Sequence, residues 1–191
     1  MGLLDALRGK TKQVAPNLDN LFALPSAALT LESELDLVAS GQAGLCFKGG
    51  SGASSIASDQ DIRELLNFDA SDTSVQLLTD DLGFNWLVIN GDDLGTLVTR
   101  IHGADSTLVD HGLGPRLLCA VFGFKAKVPP GDGDVRLVYL MKQGTFYPFA
   151  PRDGQRRDNE LELRVQSFLG SDLPMEKDLT RWMALWGLPV S

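Results

Sequence analysis

Two adjacent arginines, placed just before a helix-like segment, are the residues of this sequence best suited to binding chemistry. Arg156 and Arg157 belong to the stretch GTFYPFAPRDGQRRDNELELR, residues 144–164. Guanidinium groups form charge-assisted hydrogen bonds with carboxylates and phosphates, and the N–H groups at a helix N-terminus also favour anions. We therefore predict that Arg156, Arg157 and the polar Gln155 contact an acidic partner segment or a phosphate, and that the arginine pair matters little for folding.

Three aromatic residues precede the arginines in the same stretch. Phe146, Tyr147 and Phe149 alternate with Pro148 and Pro151, and proline has no N–H for a strand ladder, so the stretch cannot continue a central strand. The rings either cover an edge of the core or stand exposed, and the sequence leaves both interpretations open. In the exposed case they form a contact surface together with the arginines, so we include Phe146, Tyr147 and Phe149 among the candidate partner-binding residues.

Other patterns that could support metal binding or catalysis are weak. His102 and His111 are nine positions apart on one predicted helix, about 180° around its axis, so they cannot share a metal ion. Two Asp-Asp pairs, at positions 80–81 and 92–93, stand where a turn and a helix N-terminus favour acidic residues. The sequence has no HExxH, CxxC or GxSxG pattern. We assign no catalytic, metal-binding or cofactor-binding residue and do not expect an enzyme.

The alternative function is a small-molecule- or anion-binding enzyme that uses the loop 144–159. The glycine-rich GGSGASS, residues 49–55, lacks the Lys-Ser/Thr of a phosphate-binding loop and is interpreted as a flexible linker. Cys46 and Cys119 both lie in apolar runs. Buried free cysteine behaves as a small apolar residue, so we interpret both as core residues.

The charge balance limits the partners. The chain of 191 residues has a formal net charge of −8. Because binding of nucleic acid depends on neutralising phosphates, we expect no nucleic-acid partner. No apolar run approaches the roughly 20 residues that span a bilayer, and the N-terminus lacks the pattern of a signal peptide. We expect a cytoplasmic protein that is peripheral at the membrane only through a partner.

The first ten residues, MGLLDALRGK, predict a short helix with one apolar face. Leu3, Leu4 and Leu7 form this face, whereas Asp5 and Arg8 lie off it. Stable membrane anchoring generally needs two signals, and this arm supplies one weak one. We expect the three leucines to dock in a groove, of this protein or of a helical partner. The predicted organisation is an N-terminal helical arm, residues 1–25, and a single α+β domain, residues 26–191.

Apolar periodicity predicts an α+β fold, an antiparallel sheet of hairpins with helices packed on one face. The predicted elements of the first half are a short helix at 17–24 that Pro25 ends, strands at 29–40 and 43–49 joined by a Ser40-Gly41-Gln42 turn, a helix opened by Asp59 or Asp61, and a hairpin about residues 80–83. The second half has a helix within 92–112, strands at 117–126 and 135–142, a helix that Asn159 caps with Glu162, and a short helix over 176–187. Because Leu161, Leu163 and Val165 also alternate, a strand is the alternative to the helix after Asn159. This order is similar to the type III secretion chaperone-like fold, whose members are dimers or partner-binding modules, and a homodimer is one interpretation.

Several segments resemble the PspA-associated protein PspAB family over nearly the whole chain. The segments are MGLLDALRGKTKQVAPNLDNLFALPSAALTL, GPRLLCAVFGF, LVYLMKQGTFYPFAPRDGQRRDNELELR and DLPMEKDLTRWMALWGLP. The resemblance implies a cytoplasmic companion of a PspA-like phage-shock protein, encoded near it or near an HtpX-type membrane protease and linked to envelope stress in bacteria and archaea. It implies no catalytic residues. We therefore expect a non-enzymatic adaptor or regulator that acts by protein–protein binding.

Overall fold

The structure, a computed structural model, describes residues 18–48, 62, 64–66, 74–128 and 133–191 of the chain. The predictions for residues 1–17, for the linker 49–55 and for a helix start at Asp59 or Asp61 lie outside these residues. The helices are α1 (Leu24–Leu35), α2 (Leu94–Asp110) and α3 (Asn159–Leu169), and the strands are β1 (Leu37–Lys48), β2 (Val75–Thr79), β3 (Phe84–Asn90), β4 (Leu117–Ala126), β5 (Val135–Leu140), β6 (Thr145–Phe149), β7 (Pro151–Arg152) and β8 (Arg156–Arg157). Short 3-10 helices span Leu18–Ala23, Gly114–Arg116 and Leu179–Arg181.

Six strands form one antiparallel sheet in the order β2-β3-β1-β4-β5-β6, while β7 and β8 pair separately. The helices α1, α2 and α3 pack on one face of this sheet. This α+β architecture confirms the predicted fold class, whereas the likeness to type III secretion chaperones stays a prediction. Leu21 and Leu24, from the predicted arm 1–25, are fully buried in the core, and the boundary between arm and domain stays a prediction.

Both faces of the sheet are apolar, because side chains of the central strands alternate between two cores. In β1, Leu45 and Phe47 join the core under the helices, whereas Cys46 between them joins a second core on the opposite face. The second core also contains Trp182 and Val190 from the C-terminal segment. Strands buried on both faces form nearly continuous apolar runs, as β4 does.

The predicted helix end at Pro25 is wrong, and so is the predicted strand over residues 29–35, because α1 runs through this region, whereas residues 37–40 do belong to strand β1. Pro25 lies in the first turn of α1, where a missing N–H needs no partner. Leu29, the first residue of the predicted strand, is 68% exposed. The residues that α1 buries follow helical spacing instead, and they are Leu24, Ala27, Leu31 and Leu35.

The predicted turn at Ser40-Gly41-Gln42 is also wrong, since these residues lie inside β1. Gly41 has a φ of 85°, and the register of β1 against β4 shifts between Ala39 and Ala43. This is a β-bulge, in which glycine supplies a left-handed conformation that other residues adopt at a cost. The strand therefore bends without reversing and pairs with both β3 and β4.

The remaining central elements agree with the prediction. The hairpin β2–β3 turns at residues 80–83, α2 lies within 92–112, and β4 and β5 occupy the two long apolar runs. Asp93 begins α2 by accepting the N–H of Thr96 at 2.6 Å. Within the described part of the chain, none of the helices is long and apolar enough to cross a bilayer.

The helix after the loop is present as α3, but its cap is Asp158 and not Asn159. The Asp158 carboxylate accepts the N–H of Leu161 at 2.9 Å, and α3 begins at Asn159. An N-cap residue lies outside the helical conformation, and aspartate serves this role as well as asparagine. Glu162 does not close the predicted capping box, because its carboxylate accepts from Ala150 and Arg157.

The predicted tail helix over 176–187 is wrong except for a single 3-10 turn, Leu179–Arg181. From Trp182 to Ser191 the chain forms neither a helix nor a strand. Trp182 and Trp186 instead pack against the second face of the sheet. Burial of these two large rings outweighs the local helical preference of the segment.

Replacing Asp158 with alanine is expected to lower the free energy of unfolding by roughly 1 kcal/mol, the usual loss of an N-cap. Urea denaturation measures the effect. Asn159→Ala is the matched control, expected to change little because Asn159 is exposed in the first helical turn. A larger loss for Asn159→Ala than for Asp158→Ala would contradict the assignment.

Asp105 of α2 is expected to make stability depend on pH. Its side chain is fully buried, and neither carboxylate oxygen has a hydrogen-bond partner among the described residues. Burial raises the pKa of Asp105 from 3.8 to about 6. The folded state therefore binds the proton more tightly than the unfolded state, and the contribution of this group to stability is lost as the pH rises from about 4 to about 6.

The substitution Asp105→Asn removes this ionisation. We expect it to raise the free energy of unfolding at pH 7 by roughly 2–3 kcal/mol and to have a much smaller effect at pH 4. Urea denaturation of parent and variant at the two pH values gives the comparison. The same difference at both pH values would mean that Asp105 does not titrate as described.

Candidate functional site

The three aromatic residues of the loop are buried inside the chain. Phe146 is fully buried in the core under the helices, where its ring lies 4.7 Å from that of Tyr139. Tyr147 and Phe149 lie in the second core and are also buried. In this conformation the rings contact the protein itself, on the edge strand β6, and are not available to a partner.

Arg157 holds the loop, helix α3 and the C-terminal segment together. Its Nε donates to the Glu162 carboxylate at 2.9 Å, and one of its NH groups donates to the Trp182 carbonyl at 2.7 Å. The guanidinium also lies 5.2 Å from the centre of the Phe149 ring, within cation–π distance. Glu162 is only 1% exposed and also accepts the Ala150 N–H. Arg157 is thus the charge partner of a buried carboxylate.

Gln155 and Arg156 lie apart from this cluster: Gln155 is in the exposed turn between β7 and β8, and Arg156 is the exposed first residue of β8. Gln155 has a φ of 53°, and Arg156 donates to the carbonyl of Asp153 at 3.1 Å. Arg152 in the same hairpin pairs with Asp158 at 2.8 Å. The structure therefore separates the two predicted arginines, placing Arg157 in the fold and leaving Arg156 at the surface.

The C-terminal segment covers part of the second face and is fastened there by aromatic and polar contacts. The ring of Trp182 stacks on Tyr147 at 6.1 Å, and that of Trp186 meets Phe149 edge-on at 5.1 Å. Burial raises the pKa of Tyr147, so its hydroxyl stays protonated and donates to the Met183 carbonyl at 3.1 Å. The tryptophans therefore determine where the segment crosses the sheet.

Two glycines in the sheet receive the last residues of this segment. A Cβ at Gly44 would lie 2.6 Å from a methyl group of Val190, and a Cβ at Gly123 would overlap the Ser191 carbonyl. The hydroxyl of Ser40 donates to the same carbonyl at 2.6 Å. The absence of side chains at these two glycines thus lets the backbone at 190–191 lie directly on β1 and β4.

Between these attachment points the segment leaves an apolar groove on the second face, with a volume of about 410 Å³. The floor is formed by side chains of the sheet, and the outer wall by residues 183–188. The lining residues are Cys46, Asp80, Leu82, Phe84, Trp86, Leu117, Leu118, Cys119, Leu140, Lys142, Gln143, Tyr147, Met183, Ala184, Leu185, Trp186 and Leu188. This volume lies within the range of protein ligand pockets.

Exposed apolar side chains line the mouth of the groove. Leu82 in the β2–β3 turn is 79% exposed, and Met183 on the outer wall is 61% exposed. Lys142 and Gln143 add polar groups at the end of β5. An apolar floor with exposed apolar residues at its border has the composition expected of a site for a protein or small apolar ligand.

Two ionisable groups of the groove, Asp80 and Cys119, form hydrogen bonds within the protein. Asp80 accepts three hydrogen bonds, from the N–H groups of Leu82 and Phe84 and from the indole of Trp86. Cys119 faces Cys46 across β1 and β4, and a hydrogen bond to Cys46 together with burial raises the pKa of the Cys119 thiol well above its usual range. A protonated thiol is a weak nucleophile.

The structure also gives the positions of the cysteine and histidine residues considered as candidates from the sequence. Cys46 and Cys119 are buried and free, as their interpretation as core residues requires. The ring of His102 packs on Phe22 at 4.9 Å, and His111 contacts the Thr107 carbonyl at the end of α2. In the described ranges, no group of three or more His, Cys, Asp and Glu side chains is close enough to hold a metal ion. Leu3, Leu4 and Leu7 lie outside those ranges.

Sequence reasoning missed the groove because its residues come from six separate segments. The available signal was the continuous apolar character of β3 and β4, which indicates burial on both faces. Helices on one face cannot cover such a sheet, so an open apolar surface on the other face could have been anticipated. Which part of it stays open depends on the path of residues 182–191.

Comparison with known proteins gives one result. A family model described as PspA associated protein B matches residues 1–190. No curated protein and no solved structure matches the chain. The match includes the loop 144–159, the groove and the C-terminal segment.

The substitution Arg157→Glu is expected to lower the free energy of unfolding by roughly 3–5 kcal/mol, because it leaves the buried Glu162 facing a like charge. The neighbouring Arg156→Glu makes the same charge change at an exposed position and should cost less than about 1 kcal/mol. Urea denaturation of the two single variants separates the roles. Equal destabilisation would show that Arg157 does not hold the segments together.

Proposed function

This chain belongs to the PspA associated protein B family, and we propose that it is a non-enzymatic adaptor that binds a PspA-like protein through the apolar groove. The binding would link the chain to an envelope-stress response. The observation that carries the proposal is the open groove of about 410 Å³ on a sheet face that the helices do not cover.

The groove suits apolar side chains presented by another protein. Fully desolvated aromatic and aliphatic anchors at the centre of an interface provide most of its binding energy. Trp86 and Trp186 belong to the groove lining, and the exposed Leu82 and Met183 widen the apolar surface at its mouth. An amphipathic helix of the partner could insert one or two side chains while its polar face stays in water.

The contacts of the groove support an adaptor rather than an enzyme. Asp80 accepts three hydrogen bonds from within the protein, and the raised pKa of Cys119 disfavours a reactive thiolate. Arg157 pairs with Glu162, and Arg152 pairs with Asp158, which leaves Arg156 as a loop cation at the protein surface for an acidic segment. We propose Arg156 as an additional polar contact. Binding of an HtpX-type protease and formation of a homodimer stay predictions.

The double variant Leu82→Asp/Met183→Asp is expected to weaken capture of the PspA-like protein from the same genome at least tenfold, because charge in an apolar contact is costly to desolvate. Both residues are exposed, so the fold should be retained. Isothermal titration calorimetry with purified PspA-like protein gives the dissociation constants.

A control variant with the same charge change tests the position of the site. Leu29 and Val128 are 68% and 74% exposed and do not line the groove. Leu29→Asp/Val128→Asp should bind as the parent does. Equal affinity of the groove variant and the parent, or an equal loss in both variants, would remove the groove from the function.

A further inference from the structure

We propose that Cys46 and Cys119 form a dithiol site on the floor of the groove, at which a low-molecular-weight disulfide is reduced while a disulfide bond closes between β1 and β4. The site is a point of covalent modification and goes beyond the proposed function, which uses the groove only for binding. Three observations carry the proposal: the register of the two strands, the common face of the two side chains, and their access from the groove.

The register of the sheet places the two cysteines directly opposite each other. In the antiparallel pair of β1 and β4, Cys46 is the partner of Cys119. The Cα atoms of residues opposed in this way lie about 4.5–5.5 Å apart. Disulfide bonds join cysteines whose Cα atoms are about 4.4–6.8 Å apart, so the backbone separation already suits a bond.

The two side chains also lie on the same face of the sheet. Both belong to the core on the second face, as expected for opposed residues of neighbouring strands. Both thiols are free, and they are hydrogen-bonded to each other. The sequence contains two cysteines, about 70 positions apart, so it is the folding of β1 against β4 that makes them neighbours.

The groove gives a small reagent access to the pair. Cys46 and Cys119 line the groove, and their exposed fractions are 4% and 6%. The neighbouring lining residues Trp86, Leu118 and Leu140 are apolar, which favours an uncharged reagent. The groove volume of about 410 Å³ lies within the range of ligand pockets, so a small neutral disulfide fits.

The reaction consists of two thiol–disulfide exchanges. One cysteine, as the thiolate, attacks a sulfur of the small disulfide RSSR and displaces one RS⁻, which leaves a mixed disulfide on the protein. The second cysteine then attacks the protein sulfur of the mixed disulfide, displaces the other RS⁻ and closes the bond between Cys46 and Cys119. The two thiol protons pass to the two released RSH molecules, so the protein loses two electrons and two protons and RSSR gains them.

The fold determines the equilibrium of this reaction more directly than its rate. Exchange proceeds through the thiolate, and the raised pKa of Cys119 makes that form rare at neutral pH. The equilibrium depends instead on how closely the two thiols are held. In the unfolded chain, closing a loop of about 70 residues costs entropy, which favours the folded protein roughly a thousandfold in the absence of native strain. Strain reduces this advantage, so we expect at least about a tenfold effect.

The test compares this equilibrium in the folded and the unfolded full chain. The protein is equilibrated with mixtures of 2-mercaptoethanol and bis(2-hydroxyethyl) disulfide at one pH, in buffer and in concentrated urea, and is then quenched with acid. Alkylation of the free thiols, followed by intact mass spectrometry, gives the fraction with the internal disulfide. We expect the equilibrium constant for its formation to be at least about tenfold larger in buffer than in urea. An equal or smaller constant in buffer would overturn the proposal.

Single variants test the pairing and the access. Cys46→Ala and Cys119→Ala each keep one thiol, so we expect them to gain a mixed disulfide and no internal disulfide. If both variants retain the circular dichroism spectrum of the parent and neither gains a mixed disulfide in buffer, access through the groove is wrong. If neither variant folds, the comparison of the parent in buffer and in urea still decides the proposal.

Electrophoresis without a reducing agent distinguishes bonds within one chain from bonds between chains. We expect the oxidised parent to migrate as a monomer. A disulfide-linked dimer as the main product would overturn the proposal, because the two cysteines would then bond to those of another copy.

The experiment contains no PspA-like protein, so its result is independent of the proposed function. If the internal disulfide forms but Leu82→Asp/Met183→Asp still captures the partner, only the proposed function is wrong. If capture is weakened but the internal disulfide is no more stable in the folded chain, only the dithiol site is wrong.

Discussion

A sheet that is apolar on both faces must be covered on both, and this constraint explains most of the structure. Among the described residues, helices α1, α2 and α3 cover one face, packed against residues such as Leu45 and Phe122. The opposite face carries Cys46, Trp86 and Val121, which would be costly to leave in water. The chain covers this face with the segment after Trp182, which has no regular secondary structure of its own. The helices and the C-terminal segment therefore cover the two faces of the sheet unequally.

The position of the C-terminal segment on the second face depends on a buried ion pair. Removing a carboxylate such as Glu162 from water is unfavourable unless a cation and further donors compensate it. Arg157 and the Ala150 N–H provide that compensation, and the Nη1 group of the same guanidinium donates to the carbonyl of Trp182. The same group therefore stabilises the start of α3 and directs the C-terminal segment onto Tyr147 and Phe149. A polar contact in the loop thus determines an apolar surface on the sheet.

The groove is the part of the second face that this cover leaves open. Its floor is as apolar as a core, yet Leu82 and Met183 at its border are exposed. Surfaces of this kind are uncommon on proteins that act alone, and they fit a family whose description names an associated protein. In the proposed function, a bound partner would cover the part of this face that the described residues leave open.

The sequence by itself determined the fold class, the central hairpin, α2 and the long strands, since each depends on a local period or turn that survives in the structure. Prediction of secondary structure from the sequence failed where two local signals competed. A strand was predicted at 29–40, but Leu24, Leu31 and Leu35 are buried along one face of α1. Gly41 bends β1 where it was expected to reverse the chain.

Only the tertiary structure separated Arg156 from Arg157. The two residues have the same chemistry and adjacent positions, and they differ because one lies beside the buried Glu162 whereas the other faces water. The groove was likewise invisible in the sequence, because its lining comes from residues 46 to 188 and no single segment contains its pattern. Periodicity reports which face of an element is apolar, but only the packed chain determines which of those faces stays uncovered.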